Sequence, residues 1–335
     1  GATEVSNVYL GSALLYSAQS PFTFTVNTAS TSGGSSTNTQ FRLPLVSSFN
    51  GVTANVDWGD ETTDVITAFN QAEVTHTYAS SGVYEVKISN ALRGFRFGNA
   101  GDRFKMRNIS NYGILNINTT ETFRGCPDLT QTATDAPLIS TTNLSSTFNG
   151  CISFNGDIGN WNLANVTSIN SFLNQGRLFN QSLSNWNVSN VTDMANAFFD
   201  TRVLLTLDVS NWNVAKVTSL VTCFGASKAN PDVTNWNTSA LTDVRFCFEN
   251  ATNFDRNMAS WNITNINAFQ FFLNGSTLST ANYDATLIGW SAQVARTGRT
   301  ISFGNSRFTL GGAAEAARAN LISTYGWTIT DGGGI

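Results

Sequence analysis

The chain has 335 residues, of which 12% are charged and 41% hydrophobic, and its formal net charge at pH 7 is -4. So few Lys and Arg residues provide no basic stripe to neutralise phosphates, which argues against nucleic acid as a partner. No run of 18 apolar residues occurs, so we expect no membrane insertion, and the apolar content suffices for a continuous core.

The first 39 residues are expected to be a leader followed by a linker. Residues 7–12 could form a short strand, and residues 27–39 are rich in Ser, Thr, Gly and Asn, as flexible linkers often are. The leader is similar to short segments that open some phage structural proteins. We therefore expect residues 1–39 to allow docking or self-assembly.

Residues 40–100 are predicted to form a small β-domain. Apolar and polar residues alternate over residues 83–88, as in a strand with one buried face, and Asp60 can accept backbone N–H groups in a turn after Trp58. The phrases VDWGD at residues 56–60 and HTYASSGVYEVKI at residues 76–88 resemble the two signature strands of PKD-like domains. That resemblance implies an Ig-like β-sandwich.

Residues 101–276 are predicted to be an array of about seven repeats, each about 25 residues long. One ladder consists of tryptophans at intervals of 24 to 26 residues: Trp161, Trp186, Trp212, Trp236 and Trp261. Tyr112 occupies the equivalent place in the first repeat. A second ladder follows 11 or 12 residues behind: Phe123, Phe148, Phe172, Phe198, Phe224, Phe248 and Phe272.

Each repeat is expected to contain a short strand around its Trp and then a short helix or 3₁₀ turn. Residues 208–214 alternate apolar and polar side chains, and residues 191–199 place apolar groups at helical spacing. Such a unit cannot bury its faces alone, so we expect successive units to stack as a rod or shallow arc. The indole rings would then fill a shared core rather than form an exposed sugar-stacking platform.

The repeat phrase FNQSLSNWNVSNVTDM at residues 179–194 resembles the 25-residue repeat of BspA-like bacterial surface proteins, a family related to leucine-rich repeats. The resemblance implies a leucine-rich-repeat-like solenoid. Two residues depart from the repeat pattern: Lys216 stands where an earlier repeat has Asn190, and Asn267 stands at the place of Thr192.

Residues 277–335 are predicted to be a small α/β cap. Residues 300–303 and 327–330 are typical of strands, and residues 313–325 of an Ala-rich helix that ends before Gly326. A cap covers the apolar end of a repeat array. The fold class is therefore expected to be mainly β with short helices: an Ig-like β-sandwich, a solenoid and an α/β cap.

Four cysteines form two pairs one repeat apart: Cys126 with Cys151, and Cys223 with Cys247. Strands stacked near 4.8 Å are farther apart than the roughly 3.8 Å between Cβ atoms that a disulfide prefers. We expect buried thiols, with disulfides as the alternative in an oxidising compartment.

Catalytic chemistry finds little support in the sequence. The one histidine, His76, lies in a predicted strand, so a hydrolytic triad is not expected. Acidic residues recur in the array as capping or surface groups: Asp193, Asp208, Asp232 and Asp243. A second acidic group could bind Ca²⁺ but is expected to consist of solvated turn carboxylates, without a metal or other cofactor: Asp57, Asp60, Glu61 and Asp64.

The neutral, repeated surface favours a non-enzymatic adhesion or recognition protein that binds a surface glycan or protein through one face of the array. The resemblance places it outside the cell or on the cell surface, or alternatively on a virion, for example in a phage tail fibre. A structural role, as a virion decoration protein or filament subunit, is the alternative. A carbohydrate-active enzyme is the third.

Overall fold

The computed structural model describes residues 7–10, 13–17, 19–203 and 207–335. Their secondary structure is mainly β, with short helices. The strands before the array are β1 (Asn7–Leu10), β2 (Ala13–Ser17), β3 (Phe22–Asn27), β4 (Gln40–Arg42), β5 (Ala54–Asp57), β6 (Thr63–Ile66), β7 (Thr75–Thr77) and β8 (Val83–Asn90). Short 3₁₀ helices cover Ser47–Phe49, Ala72–Val74 and Gly101–Phe104.

The following strands are β9 (Met106–Asn111), β10 (Asn116–Ile117), β11 (Thr130–Gln131) and β12 (Leu138–Ile139). A six-stranded sheet has the order β11-β9-β3-β8-β5-β6, and β4 pairs with β7 in a separate antiparallel sheet. Phe41 on β4 lies 6.0 Å from Phe24 on β3, measured between ring centroids, so the small sheet packs over the large one. β1 and β2 form an antiparallel pair.

Strand β3 lies in the middle of the six-stranded sheet, although the sequence analysis included its residues in the leader. It pairs antiparallel with β8 on one side and with β9 on the other. Phe22, Phe24 and Val26 are all buried. The leader therefore does not extend to residue 39, while residues 1–6, 11–12 and 18 of the predicted docking segment lie outside the described residues.

Parallel pairing between successive units begins earlier than the array predicted from residue 101. Leu92 bridges Leu115, and β10 pairs with β12. The bridges then connect one residue per repeat, at equivalent places along the array: Asn143, Ser168, Asp193, Ser219, Asp243 and Ala268. Because β9 and β11 also belong to the six-stranded sheet, that sheet and the first repeats share one core.

The segment around each array Trp is a pair of turns, not the predicted strand. The N–H of Trp212 donates to the carbonyl of Val209 at 3.0 Å, and that of Val217 to Val214 at 2.9 Å. Asp208 Oδ1 accepts from the N–H of Ser210 at 3.0 Å. Asn and Asp side chains can hydrogen-bond to the nearby backbone and so replace the hydrogen bonds of a sheet. The alternation of apolar residues here reflects two successive turns that each bury an apolar side chain.

The segment predicted as a short helix is also a chain of turns, with a residue in the left-handed region at every fourth place. Asn196 has φ 56° and Asp200 has φ 54°. The N–H groups of every second residue point along the stacking direction toward the next repeat, instead of forming the hydrogen bonds of a helix. In one repeat the N–H groups of Leu144, Ser146, Phe148 and Gly150 donate to carbonyls of the next repeat at 2.8 to 3.0 Å.

Residues 277–335 continue the parallel pairing with longer units. They contain α1 (Thr280–Ser291), β13 (Thr300–Ser302), α2 (Ala313–Ser323) and β14 (Thr328–Thr330). Phe269 bridges Ile301, and β13 pairs parallel with β14. Within the described part of the chain, neither helix has the length and apolar character needed to cross a bilayer.

Candidate functional site

The Trp ladder is part of the core. Trp186, Trp212 and Trp236 are 2 to 4% exposed. The Nε1 of Trp186 donates to the carbonyl of Ile158 in the preceding repeat at 2.8 Å. The same bond recurs in the following repeats, at 3.1 Å for Trp212, 3.0 Å for Trp236 and 3.0 Å for Trp261. These indoles are therefore not available to a ligand.

Trp161 and Tyr112, at the start of the ladder, differ from the later positions. Trp161 is 2% exposed, and its Nε1 has no hydrogen-bond partner among the described residues. The ring instead lies at a right angle to Tyr112, with 5.5 Å between centroids. Tyr112 donates its hydroxyl to Gln131 Oε1 at 2.7 Å.

The seven ladder phenylalanines are fully buried. Phe198 and Phe224 stack with centroids 5.6 Å apart, as do Phe224 and Phe248. Phe123 and Phe148 stack at 5.4 Å, whereas Phe172 meets Phe148 edge-on at 5.5 Å. The second ladder is therefore internal but not one continuous column, because Leu173 and Leu273 take the place of the stacked rings and Phe172 and Phe272 lie one residue earlier.

All four cysteines are buried free thiols. Burial raises the pKa of the Cys151 thiol to about 12 and also raises the pKa values of the other three. Cys151 donates to the carbonyl of Phe123 at 3.0 Å. Thiols held protonated and away from solvent are poor nucleophiles, so these residues offer core packing and no reactive site.

The acidic residues proposed for Ca²⁺ have separate partners. Asp57 Oδ1 accepts from the N–H of Gly59 at 2.9 Å, and Asp64 Oδ2 accepts from Trp58 Nε1 at 2.8 Å. Asp60 lies 2.8 Å from His76 Nε2, and Glu61 occupies a turn with φ 70°. In the described part of the chain, no three His, Cys or acidic side chains are grouped as metal ligands.

His76 has contacts that hold the first domain together. Its ring stacks on Trp58 with centroids 4.8 Å apart and meets Tyr78 edge-on at 4.5 Å. Burial alone would raise the pKa of Asp60, but hydrogen bonds from Thr62 and His76, with the charge of His76, lower it. The pair links β7 to the turn after Trp58.

The acidic residues of the array accept local hydrogen bonds. Asp193 Oδ1 accepts from the N–H of Ala195 at 2.9 Å, and Asp243 forms an ion pair with Arg245 at 2.7 Å. Hydrogen bonds from Ser210 and Thr234 lower the pKa values of Asp208 and Asp232. A general acid of glycoside hydrolysis needs the opposite shift.

An exposed column of threonines runs along the array, one per repeat. From Thr167 onwards, the backbone N–H and the side-chain Oγ1 both donate to the carbonyl of the preceding Thr. For Thr192 these distances to Thr167 are 2.8 Å and 3.1 Å, and for Thr218 to Thr192 they are 2.8 Å and 3.0 Å. The column comprises Thr142, Thr167, Thr192, Thr218 and Thr242.

A second column, linked in the same direction, lies two residues before Thr167, Thr192 and Thr218. Ala240 interrupts it, and it resumes at Asn265, two residues before Asn267. Asn190 Nδ2 donates to the carbonyl of Ala164 at 2.7 Å, and Lys216 Nζ donates to Asn190 Oδ1 at 2.7 Å. We call the two columns together the Thr–Asn face, formed by the five threonines with Asn165, Asn190, Lys216 and Asn265.

The Thr–Asn face includes a groove of about 590 Å³. Its lining spans four repeats: Ile139, Ser140, Thr141, Thr142, Asn165, Thr167, Asn190, Thr192 and Lys216. Because the Thr hydroxyls use their hydrogen on the preceding repeat, their oxygen lone pairs and methyl groups can contact a ligand in the groove. The groove therefore offers repeated hydrogen-bonding groups and one cation, which suits binding rather than acid–base chemistry.

Comparisons with known proteins give one family. Residues 94–205 and 186–286 each match the family described as "Mycoplasma protein of unknown function, DUF285". The two matches overlap and together span more than half of the chain, including the array and the start of the cap. No curated protein and no solved structure matches the chain.

Proposed function

The chain belongs to the DUF285 family, and within that family we propose that it is a non-enzymatic adhesion or recognition protein. It binds a surface glycan or a protein through the Thr–Asn face. The observation that carries this proposal is the groove of about 590 Å³ on that face. Its polar groups recur once per repeat, so a polymer with a regular repeat could contact several of them together.

The finer architecture is part of the same proposal: a PKD-like, Ig-like β-sandwich followed by a BspA-like, leucine-rich-repeat-like solenoid. One-residue parallel bridges at equivalent places in successive repeats support the solenoid. The antiparallel β3–β8–β5–β6 order, with a second small sheet packed over it, supports the sandwich. Such repeat proteins commonly bind ligands on a continuous face.

The place of action that fits this function is the outside of a cell, or alternatively a virion. A polar surface with only 12% charged residues suits contact with neutral polymers. Neutral hydroxyl-rich polymers offer the donors and acceptors that Thr and Asn side chains can match.

The experiment is binding of the full chain to a printed array of neutral and acidic glycans, with immobilised surface proteins beside them. Thr192→Lys places a long cation in the groove and is expected to weaken binding at least tenfold. Asn235→Lys adds the same charge at an exposed residue that does not line the groove, and is expected to bind like the unmodified chain.

Equal weakening by both variants, or no binding by the unmodified chain, would contradict the proposal. If the chain binds no ligand but the residues before β3 become protease-resistant only when copies assemble, a structural subunit of a virion or filament is the better description.

A further inference from the structure

Two phenylalanines near the end of the array lie at the surface, outside both ladders. Phe246 is half-buried, and Phe271, in the next repeat, is 49% exposed. Their rings are stacked, with centroids 5.1 Å apart and an interplanar angle of 11°. Rings this close and this nearly parallel are offset-stacked, and the parts that remain uncovered form an aromatic surface, which we call the Phe pair.

Both residues occupy the first left-handed position of their repeat, with φ 57° for Phe246 and φ 59° for Phe271. Other repeats have polar residues at the equivalent place: Glu121, Ser146, Ser171, Asn196 and Thr222. A bulky side chain in this region is unfavourable, and strain of this kind is concentrated at functional sites. Packing in the core does not explain the two phenyl rings.

Hydrogen-bonding groups lie around the Phe pair. In the preceding repeat, a Cβ added to Gly225 would lie 2.9 Å from Cγ2 of Thr222. Side chains three residues apart are therefore neighbours in this turn. Glu249 and Asn274 therefore lie beside Phe246 and Phe271. Asn274 Nδ2 donates to Glu249 Oε1 at 3.3 Å, and Gln270 next to Phe271 is exposed.

The size of the Phe pair limits what can cover it. A stable protein interface buries about 800 Å² on each partner. A fully buried aromatic side chain contributes only about 150–250 Å², and these two rings are already partly buried. The patch suits one small, flat ligand face rather than a protein domain.

We propose that the Phe pair is a sugar-binding site that takes one pyranose ring of a neutral glycan. The C–H face of the ring packs on the phenyl rings, while Gln270, Asn274 and Glu249 bond its hydroxyl groups. A pyranose has one apolar face with hydroxyls at its rim, which matches an aromatic surface with amides and a carboxylate at its edge.

This site rests on the proposed recognition function but uses residues that the Thr–Asn face does not. The test is saturation-transfer NMR on the full chain with three probes: a β-1,4-glucose tetramer, a β-1,4-N-acetylglucosamine tetramer and a β-1,4-galactose tetramer. We expect transfer to the ring C–H protons of at least one probe.

The decisive variant combines Phe246→Ser with Phe271→Asn, because Ser171 and Asn196 occupy these places in other repeats. We expect at least tenfold weaker sugar binding, with an unchanged melting transition as the check of folding. Asn235→Lys, at an exposed residue that belongs neither to the groove nor to the Phe pair, is expected to leave this binding unchanged.

Absence of transfer from all three probes, or transfer that persists in the double variant, would overturn the Phe-pair site. If Thr192→Lys alone abolishes sugar binding, the sugar occupies the Thr–Asn face, so the proposed function stands and the second site does not.

Discussion

Each tryptophan from Trp186 onwards joins its repeat to the preceding one by a hydrogen bond as well as by packing. The acceptor is always the carbonyl three residues before the preceding Trp, as with Ile158 for Trp186. Trp161 is buried to the same degree without that bond. The two indoles therefore separate the contribution of packing from that of the hydrogen bond.

Trp186→Phe is expected to destabilise the chain by about 1–2 kcal/mol more than Trp161→Phe. Both changes remove similar volume, but the first loses a hydrogen bond to the buried carbonyl of Ile158, whereas the second removes a buried N–H that has no partner. Urea unfolding of the two variants and the unmodified chain measures the difference. Equal losses of unfolding free energy would show that the indole bond contributes nothing.

Asp200 lies between Arg177 and Arg202, at 2.9 Å and 2.7 Å from their Nε atoms. Burial would raise the pKa of Asp200, but the hydrogen bonds and charges of the two arginines lower it below the usual value. A carboxyl whose pKa is lower in the folded state stabilises fully above its unfolded pKa of about 3.9. That stabilisation is lost as the pH falls through the folded value.

Asp200→Asn is therefore expected to cost about 1 kcal/mol at pH 7, a modest figure because both arginines are partly exposed. The cost should shrink toward zero as the pH falls below about 4. Unfolding free energies of both chains from pH 7 to pH 3 give the measurement. Asn tolerates the left-handed backbone at this position, so no strain is expected, and a pH-independent loss would show that the charge of Asp200 contributes nothing.

At the scale of the structural element, the recurring turn was the hardest part to predict. Its first left-handed position carries Ser146, Ser171, Asn196 and Thr222, and no glycine marks it. The apolar spacing of residues 191–199 fits a helix equally well, because both structures return a side chain to the core every three or four residues. The turn is favoured over a helix only because the carbonyls of the next repeat accept hydrogen bonds from its N–H groups, as the hydrogen bonds of Ser146 and Phe148 show.

Exchanging residues between repeats tests this turn. Thr222→Asn is expected to stabilise the chain by about 0.5–1 kcal/mol, because a β-branched residue is unfavourable at positive φ whereas Asn tolerates it. The reciprocal Asn196→Thr is expected to destabilise by a similar amount. Thermal unfolding checks both, and effects of the same sign in the two variants would contradict the argument.

Other elements differed in how far their sequence revealed them. The aromatic ladders follow from spacing, because one buried ring per repeat is a strong signal. Helix α1 was missed, although Tyr283, Leu287 and Trp290 have helical spacing. Strand β3 was missed because its partners β8 and β9 are distant in sequence and no local pattern shows that they enclose it. The exposed Phe pair was missed because Phe246 and Phe271 lie close to ladder phenylalanines in sequence, and only their left-handed backbone distinguishes them from buried rings.

At the scale of the whole molecule, one parallel pairing pattern extends from Leu92 to β14. The six-stranded sheet covers its beginning, and α1, β13, α2 and β14 cover its end. The boundaries at residues 100 and 276 are therefore changes of unit length within a continuous core. Composition marks such changes poorly, because the same apolar residues fill the core on both sides.

Removal of residues 277–335 is expected to cause aggregation. Phe269 and Phe272 pack against Trp290 of this segment and would become exposed, together with an unpaired parallel edge. Size-exclusion chromatography with light scattering compares the truncated and full chains at equal concentration. A monomeric truncated chain that unfolds cooperatively would show that the segment is not a cap.

The hydrogen bonds between repeats point along the array, since each turn donates to the next. A pull on the two ends would load these bonds one interface at a time, so that units peel off in succession. Each released unit of about 25 residues would lengthen the chain by roughly 80 Å. A tether built this way yields in small steps under load and can re-form each step when the load falls.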